Sequence, residues 1–226
     1  MTEPQIRDAA TVIVLDRKAA AGPSVLMGQR GVQASFMPSK YVFPGGAVDP
    51  EDAWARIRPA DTLTRKVLSL APRPASAPRP EAILAAGLRE LAEETGLMTG
   101  VNGAAPEGWT HYIRSGLCPD ASAMFCIFRA ITPPGRTRRF DARFFLLDAE
   151  RIAGDLHDFG AACDELSHLH WVPLSQARAL DLPFITEVVL AEVAGLAQRP
   201  GPLAQPDRVP FFDNSGDEPR FVTLAA

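Results

Sequence analysis

The sequence has few cysteines and no long apolar segment, and these two features exclude several kinds of protein. Its three cysteines, Cys118, Cys126 and Cys163, are an odd number and lack C-x-x-C spacing. We therefore expect reduced thiols in a cytoplasmic protein rather than a disulfide or zinc framework. No run of residues approaches the ~18 apolar residues that a membrane-spanning helix needs. The first residues also lack the apolar segment of a signal peptide.

The sequence also lacks an excess of positive charge. Lys and Arg together number 23 against 27 Asp and Glu, which leaves a net charge of -4. A chain that binds nucleic acid usually carries a basic patch, so we expect no nucleic-acid partner, and no membrane partner either. The 226 residues, of which 46% are hydrophobic and 22% charged, suffice for one large domain with a substantial core.

The stretch from Glu81 to Leu97 has the composition and periodicity of an amphipathic helix. Ala, Leu, Glu and Arg dominate it, and Gly96 is placed where a C-cap glycine would end the helix. At helical spacing its leucines share one side, whereas Glu90, Glu93 and Glu94 cluster on the other. These like charges repel one another, and a hard divalent cation such as Mg²⁺ would compensate them. The alternative is a solvated acidic face.

The spacing in this stretch resembles the second half of the Nudix box, G-x5-E-x7-R-E-U-x-E-E-x-G-U, in which U is a bulky aliphatic residue. The resemblance implies the Nudix fold, which is an α/β (α+β) fold with a mixed β-sheet sandwiched between helices. It also implies Mg²⁺ or Mn²⁺ as cofactor, and hydrolysis of a small-molecule nucleotide, a nucleoside diphosphate linked to another group. The matching positions are Glu81, Arg89, Glu90, Leu91, Glu93, Glu94, Gly96 and Leu97.

The same resemblance implies roles for the matching side chains. Glu90, Glu93 and Glu94 would bind the metal. Arg89 would orient Glu90 through an ion pair, and Glu81 would support the loop and the metal-bound water.

The segment F-P-G-G, which ends at Gly45 and Gly46, resembles the strand end and turn that open a Nudix box. Glycine suits this turn because the backbone must approach the metal closely, and the resemblance implies that the carbonyl of Gly45 is a ligand. The box is then interrupted by residues 47–80. Glu51 lies six positions after Gly45 but far from the helix in sequence, so we assign the box glutamate to Glu81.

The insertion is predicted to be part helical and part proline-rich. A helix over residues 61–70 would have Asp61 as its N-cap, and residues 71–80 would follow as an extended connector. Basic residues outnumber acidic ones here. The insertion is therefore either a basic flap that grips an extra phosphate or a solvated surface decoration.

A long insertion inside the box resembles one branch of Nudix enzymes, whose eukaryotic members are peroxisomal coenzyme A diphosphatases. The resemblance extends to A-A-T-V-I-V-L, to F-M-P-S-K-Y-V-F-P-G-G-A-V-D-P and to T-P-P-G-R-T-R-R-F-D-A-R-F-F-L, and covers most of residues 9–190. A shorter coenzyme A pyrophosphatase signature is kept at Arg30 and F-P-G-G. Gly28, Ser35 and Ser39 replace its threonine, second arginine and glycine.

The resemblance thus implies coenzyme A or an acyl-CoA as substrate, with Arg30 in substrate binding. The alternatives are hydrolysis of NADH or an ADP-sugar, or a catalytically silent nucleotide-binding module.

The rest of the chain supplies strands and two further candidate site residues. Residues 9–15 and 24–30 are predicted to form a hairpin, residues 121–131 are ambiguous between helix and strand, and residues 138–147 enter a strand. In that strand Arg143 either points into the cleft toward phosphate or lies on the surface. Residues 165–172 alternate like a strand. The resemblance implies a metal ligand or general base here, at Asp164 or Glu165, with Glu90 as another candidate for the base.

The end of the chain is predicted to be a helix followed by a tail. The helix would begin at Asp181 as N-cap and run to Gln198. We expect a single Nudix domain over residues 1–198, with its insertion at about 47–80, and an extended tail over 199–226. Phe211–Phe212 and Phe221–Val222 would anchor this tail on the domain or on a second subunit of a homodimer.

Overall fold

The computed structural model describes residues 4–31, 37–73, 78–216 and 218–225. Its strands are β1 (Ile6–Asp16), β2 (Ser24–Arg30), β3 (Tyr41–Val42), β4 (Gly45–Ala47), β5 (Gly100–Asn102), β6 (Leu117–Pro119), β7 (Met124–Ile131), β8 (Arg139–Asp148), β9 (Leu166–Pro173), β10 (Arg208–Asp213) and β11 (Arg220–Ala225). Its α-helices are α1 (Thr62–Leu68), α2 (Pro80–Thr95), α3 (Thr110–Ser115) and α4 (Phe184–Ala197). Short 3₁₀ helices lie at Pro50–Ala53, Ala149–Arg151 and Ala177–Ala179.

The strands form one large mixed sheet and a small separate one. The main order is β11-β10-β7-β8-β1-β2-β3, with β4 paired to β1 and β9 paired to β2. β1 and β8 run parallel at the centre, whereas β7 is antiparallel to β8 and β2 is antiparallel to β1. Helices cover both faces, so the predicted mixed sheet between helices is confirmed. In the part of the chain that the structure describes, none of the helices combines the length and apolar character needed to cross a lipid bilayer.

β1 shows how the sequence builds a core on each face of the sheet. Successive side chains of a strand point to opposite faces, so a continuous apolar run requires cover on both sides. Val12 and Val14 pack in the cluster that contains the leucines of α2. Ile13 and Leu15 pack in the cluster that contains the valines of α4.

Helix α2 forms where its periodicity predicts it. The helix ends at Thr95, and Gly96 follows in the left-handed conformation at φ 77°, as expected for a C-cap glycine. Leu84, Leu88 and Leu91 are completely buried. Burial of each such side chain contributes about 1.5–3 kcal/mol, which fixes the helix against the sheet.

The insertion contains the predicted helix. Asp61 caps α1 by accepting a hydrogen bond of 2.9 Å from the backbone N–H of Thr64. After α1, the guanidinium of Arg73 reaches Asp8 and Asp141, each at 2.7 Å. The connector is described only at its two ends, since its middle residues 74–77 lie outside the described residues, as do Ser35 and the start of the F-M-P-S-K segment.

The C-terminal segment adds strands that the sequence analysis does not predict. β10 runs parallel to β7, and β11 is antiparallel to β10. Phe211 is buried, and Phe221 packs against Phe128 of β7 at a centroid distance of 6.1 Å. These aromatic residues therefore anchor the segment on the domain. A contact with a second subunit stays a prediction.

The start of α4 differs from the prediction. Pro183 stands at the N-cap in an extended conformation, with no side-chain capping hydrogen bond. Asp181 lies outside the helix, where its carboxylate pairs with Lys40. The proline holds the residues before it extended, so the helix begins only at Phe184.

Candidate active site

A cavity of about 600 Å³ opens at the Gly45–Gly46 turn of β4. Helix α2 contributes acidic side chains to one side of it. The central strands form its floor, and the β7–β8 loop and the start of α4 complete its wall. The turn is adjacent to the floor because β4 pairs with Ala9, Ala10 and Thr11 of β1. The two separated parts of the Nudix box therefore meet in space.

Glu94 joins α2 to the turn. Its side chain is almost fully buried, and its carboxylate accepts a hydrogen bond of 2.7 Å from the backbone N–H of Gly45. A Cβ at position 45 would lie 2.4 Å from the carbonyl oxygen of Ala10. Glycine is therefore required here because the turn is pressed against β1.

Glu90 lies against the second glycine of the turn. A Cβ at position 46 would lie 2.2 Å from Oε1 of Glu90, so the absent side chain leaves room for this carboxylate. The side chain of Glu90 is 15% exposed, and Arg89 donates a hydrogen bond of 2.9 Å to it. The box glycines thus position both glutamates.

Both carboxylates are held where ionisation is costly. Burial raises the pKa of Glu90 to about 7, although Arg89 opposes the shift. Burial raises the pKa of Glu94 to about 8, although the N–H of Gly45 opposes it. The charge of Glu165 raises the pKa of both. A nearby cation would favour the ionised forms, so these two hard oxygen donors fit a divalent metal.

The described side chains would supply only part of the coordination sphere of a divalent cation. Among the described residues, no three His, Cys, Asp or Glu side chains converge into a ligand set. Mg²⁺ commonly keeps several waters and binds through one or two carboxylates plus substrate phosphates. Glu93, the third expected ligand, is 45% exposed and pairs with Arg89 at 3.1 Å. Its role as a ligand stays a prediction, as does that of the Gly45 carbonyl.

Arg89 is fixed by a residue that the sequence analysis missed. Its Nε and Nη2 donate hydrogen bonds of 3.0 and 3.1 Å to Asp52, whose side chain is fully buried. Burial lowers the pKa of Arg89, but the hydrogen bonds to Asp52 and the charge of Glu90 outweigh it and raise that pKa. A signal existed in the sequence: the G-x5-E count from Gly46 falls on Asp52.

The structure places Glu81 away from the glycine turn, and its role stays a prediction. This residue stands in the first turn of α2 and pairs with Arg65 at 2.9 Å. Glu81 does not line the cavity. The insertion separates it from the Gly45–Gly46 turn, and Asp52 lies beside Arg89 instead.

The two candidate arginines for substrate binding have different positions. Arg30 lines the cavity, and its charge lowers the pKa of Glu94. Its Nε is buried and has no hydrogen-bond partner among the described residues. Arg143 is 4% exposed and does not line the cavity. The expectation that it points into the cleft is therefore corrected.

Arg143 belongs to a buried ionic cluster on the opposite face of the sheet. It pairs with Asp8 and donates a hydrogen bond of 2.8 Å to the carbonyl of Asp141. Arg129 donates two hydrogen bonds to the Asp141 carboxylate, at 2.8 and 2.7 Å. Burial raises the pKa of Asp141, but the hydrogen bonds from Arg129 and the charge of Arg143 lower it overall. Arg73 completes this cluster from the insertion.

The two candidates for a metal ligand or general base near β9, Asp164 and Glu165, differ in position. Glu165 lies directly before β9 and lines the cavity, whereas the neighbouring Asp164 does not.

The basic residues of the insertion do not line the cavity, so the predicted basic flap is not observed over the site. These residues are Arg56, Arg58, Arg65, Lys66, Arg73 and Arg79.

Solved structures of Nudix proteins are similar to the chain. A Nudix hydrolase from Alicyclobacillus acidocaldarius is 29% identical, with a TM-score of 0.58 and coverage of 84% of this chain and 92% of the other. The Nudix hydrolase RenU from M. smegmatis is 17% identical, with a TM-score of 0.48 and coverage of 88% and 90%. A MutT protein from Methanosarcina mazei Go1 is 14% identical, with a TM-score of 0.48 and coverage of 88% and 100%. No protein-family model matches the chain.

The box residues, the fold and the likeness to the Alicyclobacillus enzyme agree with one another. Together they support the assignment of the chain as a Nudix pyrophosphohydrolase, an enzyme that hydrolyses phosphoanhydride bonds.

Proposed function

We propose that the chain hydrolyses the diphosphate of coenzyme A or an acyl-CoA to 3′,5′-ADP and a 4′-phosphopantetheine, with Mg²⁺ or Mn²⁺. The observation that carries the chemistry is the burial of Glu90 and Glu94 against the Gly45–Gly46 turn. A diphosphate crowds negative charge, so its hydrolysis requires cations at the reacting oxygens.

The charged residues around the Gly45–Gly46 turn form the acidic end of the cavity, and each has a proposed role. They are Asp52, Arg89, Glu90, Glu93 and Glu94. Glu90 and Glu94 hold the divalent cation, which when bound offsets charge on the diphosphate. Glu93 and the carbonyl of Gly45 are further ligands. Arg89 restrains Glu90 and Glu93 through its hydrogen bonds, and Asp52 restrains Arg89. The acidic end is therefore positioned before substrate arrives.

Glu165 is the residue proposed to accept a proton from the attacking water. It is an exposed carboxylate at the cavity, next to the buried glutamates. Glu90 is the alternative, but its hydrogen bond from Arg89 favours a positioning role. A Glu165→Gln variant should lose catalysis and keep metal binding if this assignment is correct.

The choice of coenzyme A is supported by the rest of the cavity. Arg30 presents a buried Nε that has no hydrogen-bond partner among the described residues and that suits a phosphate oxygen. Phe184 and Phe212 give the opposite wall an apolar character. A substrate with one charged part and a long, less polar arm matches this division. The interrupted box, similar to that of coenzyme A diphosphatases, favours the same choice.

A substrate panel separates this proposal from its rivals. Purified protein is incubated with coenzyme A, an acyl-CoA, NADH and an ADP-sugar, with Mg²⁺ and with Mn²⁺, and the products are identified by mass. We expect 3′,5′-ADP and a phosphopantetheine as the fastest products. Faster hydrolysis of NADH or the ADP-sugar would transfer the assignment to that substrate. Binding without any hydrolysis would indicate a silent module.

A further inference from the structure

Two arginines at the cavity have no counter-charge. Arg136 and Arg138 lie in the β7–β8 loop, are exposed, and line the cavity. Neither forms an ion pair with any of the described residues, in contrast to Arg7 and Arg89, which also line the cavity. Arg89 pairs with four carboxylates, one of them that of Asp49, and Arg7 lies 3.6 Å from the same Asp49. The loop therefore contributes net positive charge to the cavity.

The sheet register places these arginines at a distance from the acidic end. Alternation along the strand puts Arg138 on the same face as the floor residues Phe140, Ala142 and Phe144. Phe144 is level with Thr11, which pairs with Gly45. At ~3.3 Å per residue, Arg138 lies about 20 Å along the sheet from that level. The long arginine side chains shorten this gap, but the loop lies beyond the diphosphate that the glutamates would hold.

The chemistry of the loop defines what it would bind. A guanidinium presents a planar fork of N–H donors that matches phosphate oxygens, and two adjacent arginines suit a dianionic phosphomonoester better than a single negative charge. Phe140, on the cavity floor near these arginines, supplies an aromatic face, which suits a nucleobase. The cavity could then accommodate a diphosphate, a nucleobase and a second phosphate on the same nucleoside.

We propose that Arg136 and Arg138 bind a phosphomonoester that the substrate carries outside the cleaved diphosphate. The substrate class is a nucleoside diphosphate derivative with an additional phosphate on its nucleoside. This inference rests on the proposed function, because it assumes that Glu90 and Glu94 mark the position of the diphosphate. It goes beyond that function by assigning the recognition of the second phosphate to the loop.

Equilibrium binding of two nucleotides tests the inference without turnover. Adenosine 3′,5′-bisphosphate and adenosine 5′-monophosphate differ only in the second phosphate. We expect the wild-type protein to prefer the bisphosphate by about tenfold or more, as charge-assisted hydrogen bonds to phosphate imply. The double variant Arg136→Gln/Arg138→Gln should lose this preference. Arg136→Lys/Arg138→Lys should keep part of it, because it retains the charge but not the fork.

The matched control is Arg114→Gln, since Arg114 is an exposed arginine of α3 that does not line the cavity. It should bind both nucleotides like the wild type. Equal wild-type affinity for the two nucleotides, or a preference that survives the double glutamine variant, would overturn the inference. An equal loss for both nucleotides would also overturn it, because the arginines would then contact the shared phosphate.

Hydrolysis assays distinguish this inference from the proposed function. If coenzyme A and dephospho-coenzyme A are both left intact by the wild type, the proposed function fails, yet the binding preference still decides the role of the loop. If both are hydrolysed, the double glutamine variant should raise KM for coenzyme A by about tenfold and leave KM for dephospho-coenzyme A nearly unchanged. A similar rise for both substrates would contradict the assignment of the second phosphate.

Discussion

Asp52 and Arg89 are 37 residues apart in the chain, yet they form a two-point ion pair with hydrogen bonds of 3.0 and 3.1 Å. The pair joins the 3₁₀ helix after the glycine turn to the helix that carries the box glutamates. It therefore holds together the two parts of a Nudix box that the insertion separates. Arg89 transmits this restraint to Glu90 and Glu93.

Replacement of Asp52 by Asn should weaken both stability and catalysis. Removal of one partner from a buried ion pair costs about 3–5 kcal/mol, and the lower end applies here because Arg89 keeps Glu90 and Glu93 as partners. Denaturant unfolding measures this loss, and steady-state kinetics should show a lower kcat. The control is Glu81→Gln, which removes a partly exposed pair with Arg65 and should cost less than about 1 kcal/mol. A larger loss in Glu81→Gln than in Asp52→Asn would restore Glu81 as the box glutamate.

Replacement of Gly46 by Ala should reduce activity more than stability. The new Cβ would lie 2.2 Å from Oε1 of Glu90, so this flexible carboxylate must move away from its position. A displacement of about 1 Å in a catalytic group can cost roughly 10²-fold in rate. The expected result is a large fall in kcat with a melting temperature close to that of the wild type.

Gly195→Ala is the matched glycine control. This residue lies on an exposed position of α4, and an added Cβ there would have no atom within 4 Å. Alanine in a helix is favoured over glycine by roughly 0.5–1 kcal/mol, so this variant should be slightly more stable and fully active. Full activity in Gly46→Ala as well would show that the turn does not position Glu90.

Replacement of Arg143 by Met should lower stability rather than substrate affinity. Arg143 is buried with Asp8 and Asp141 on the face of the sheet away from the cavity, so its loss leaves buried carboxylates short of a partner. We expect a loss of about 3 kcal/mol by denaturant unfolding, with KM unchanged in the folded enzyme. Arg30→Gln should instead raise KM and leave stability nearly unchanged, because the Arg30 guanidinium lines the cavity. A raised KM in Arg143→Met with unaltered stability would return Arg143 to the cleft.

The metal-free protein should lose stability as the pH rises from about 5 to about 8. Folding raises the pKa of Glu90 to about 7 and that of Glu94 to about 8, so the folded state binds more protons than the unfolded state over this range. The unfolding free energy then decreases with increasing pH. Melting temperatures in a chelating buffer measure this slope. Glu94→Gln should reduce the fall in melting temperature with pH, and saturating Mg²⁺ should reduce it as well. If neither changed the slope, the proposed burial of these carboxylates would be contradicted.

The sequence predicted the parts of the site that depend on local pattern. The period of Leu84, Leu88 and Leu91 specifies α2 and the side on which its glutamates lie, so the acidic group could be found without coordinates. Strand alternation likewise shows that Arg143 shares a face with Asp141. It does not show which face carries the cavity, because that depends on how β8 pairs with β1.

Other features depend on contacts between distant residues. β10 was missed because its proline-rich surroundings predict an extended segment, and only its pairing with β7 makes it a strand. Asp52 was missed for a different reason. The count from the turn starts at Gly45 and gives Glu51, whereas the same count from Gly46 gives Asp52, the residue that meets Arg89.

The central claim is that Glu90 and Glu94 hold a divalent cation against a phosphoanhydride, and Mn²⁺ binding to Glu94→Gln tests it most directly. Mn²⁺ is titrated by calorimetry into the wild type and the variant, with circular dichroism to show that both are folded and turnover measured in parallel. The account predicts that the folded variant loses Mn²⁺ binding and metal-dependent hydrolysis together. A folded Glu94→Gln variant that binds Mn²⁺ with wild-type affinity and turns over normally would contradict it.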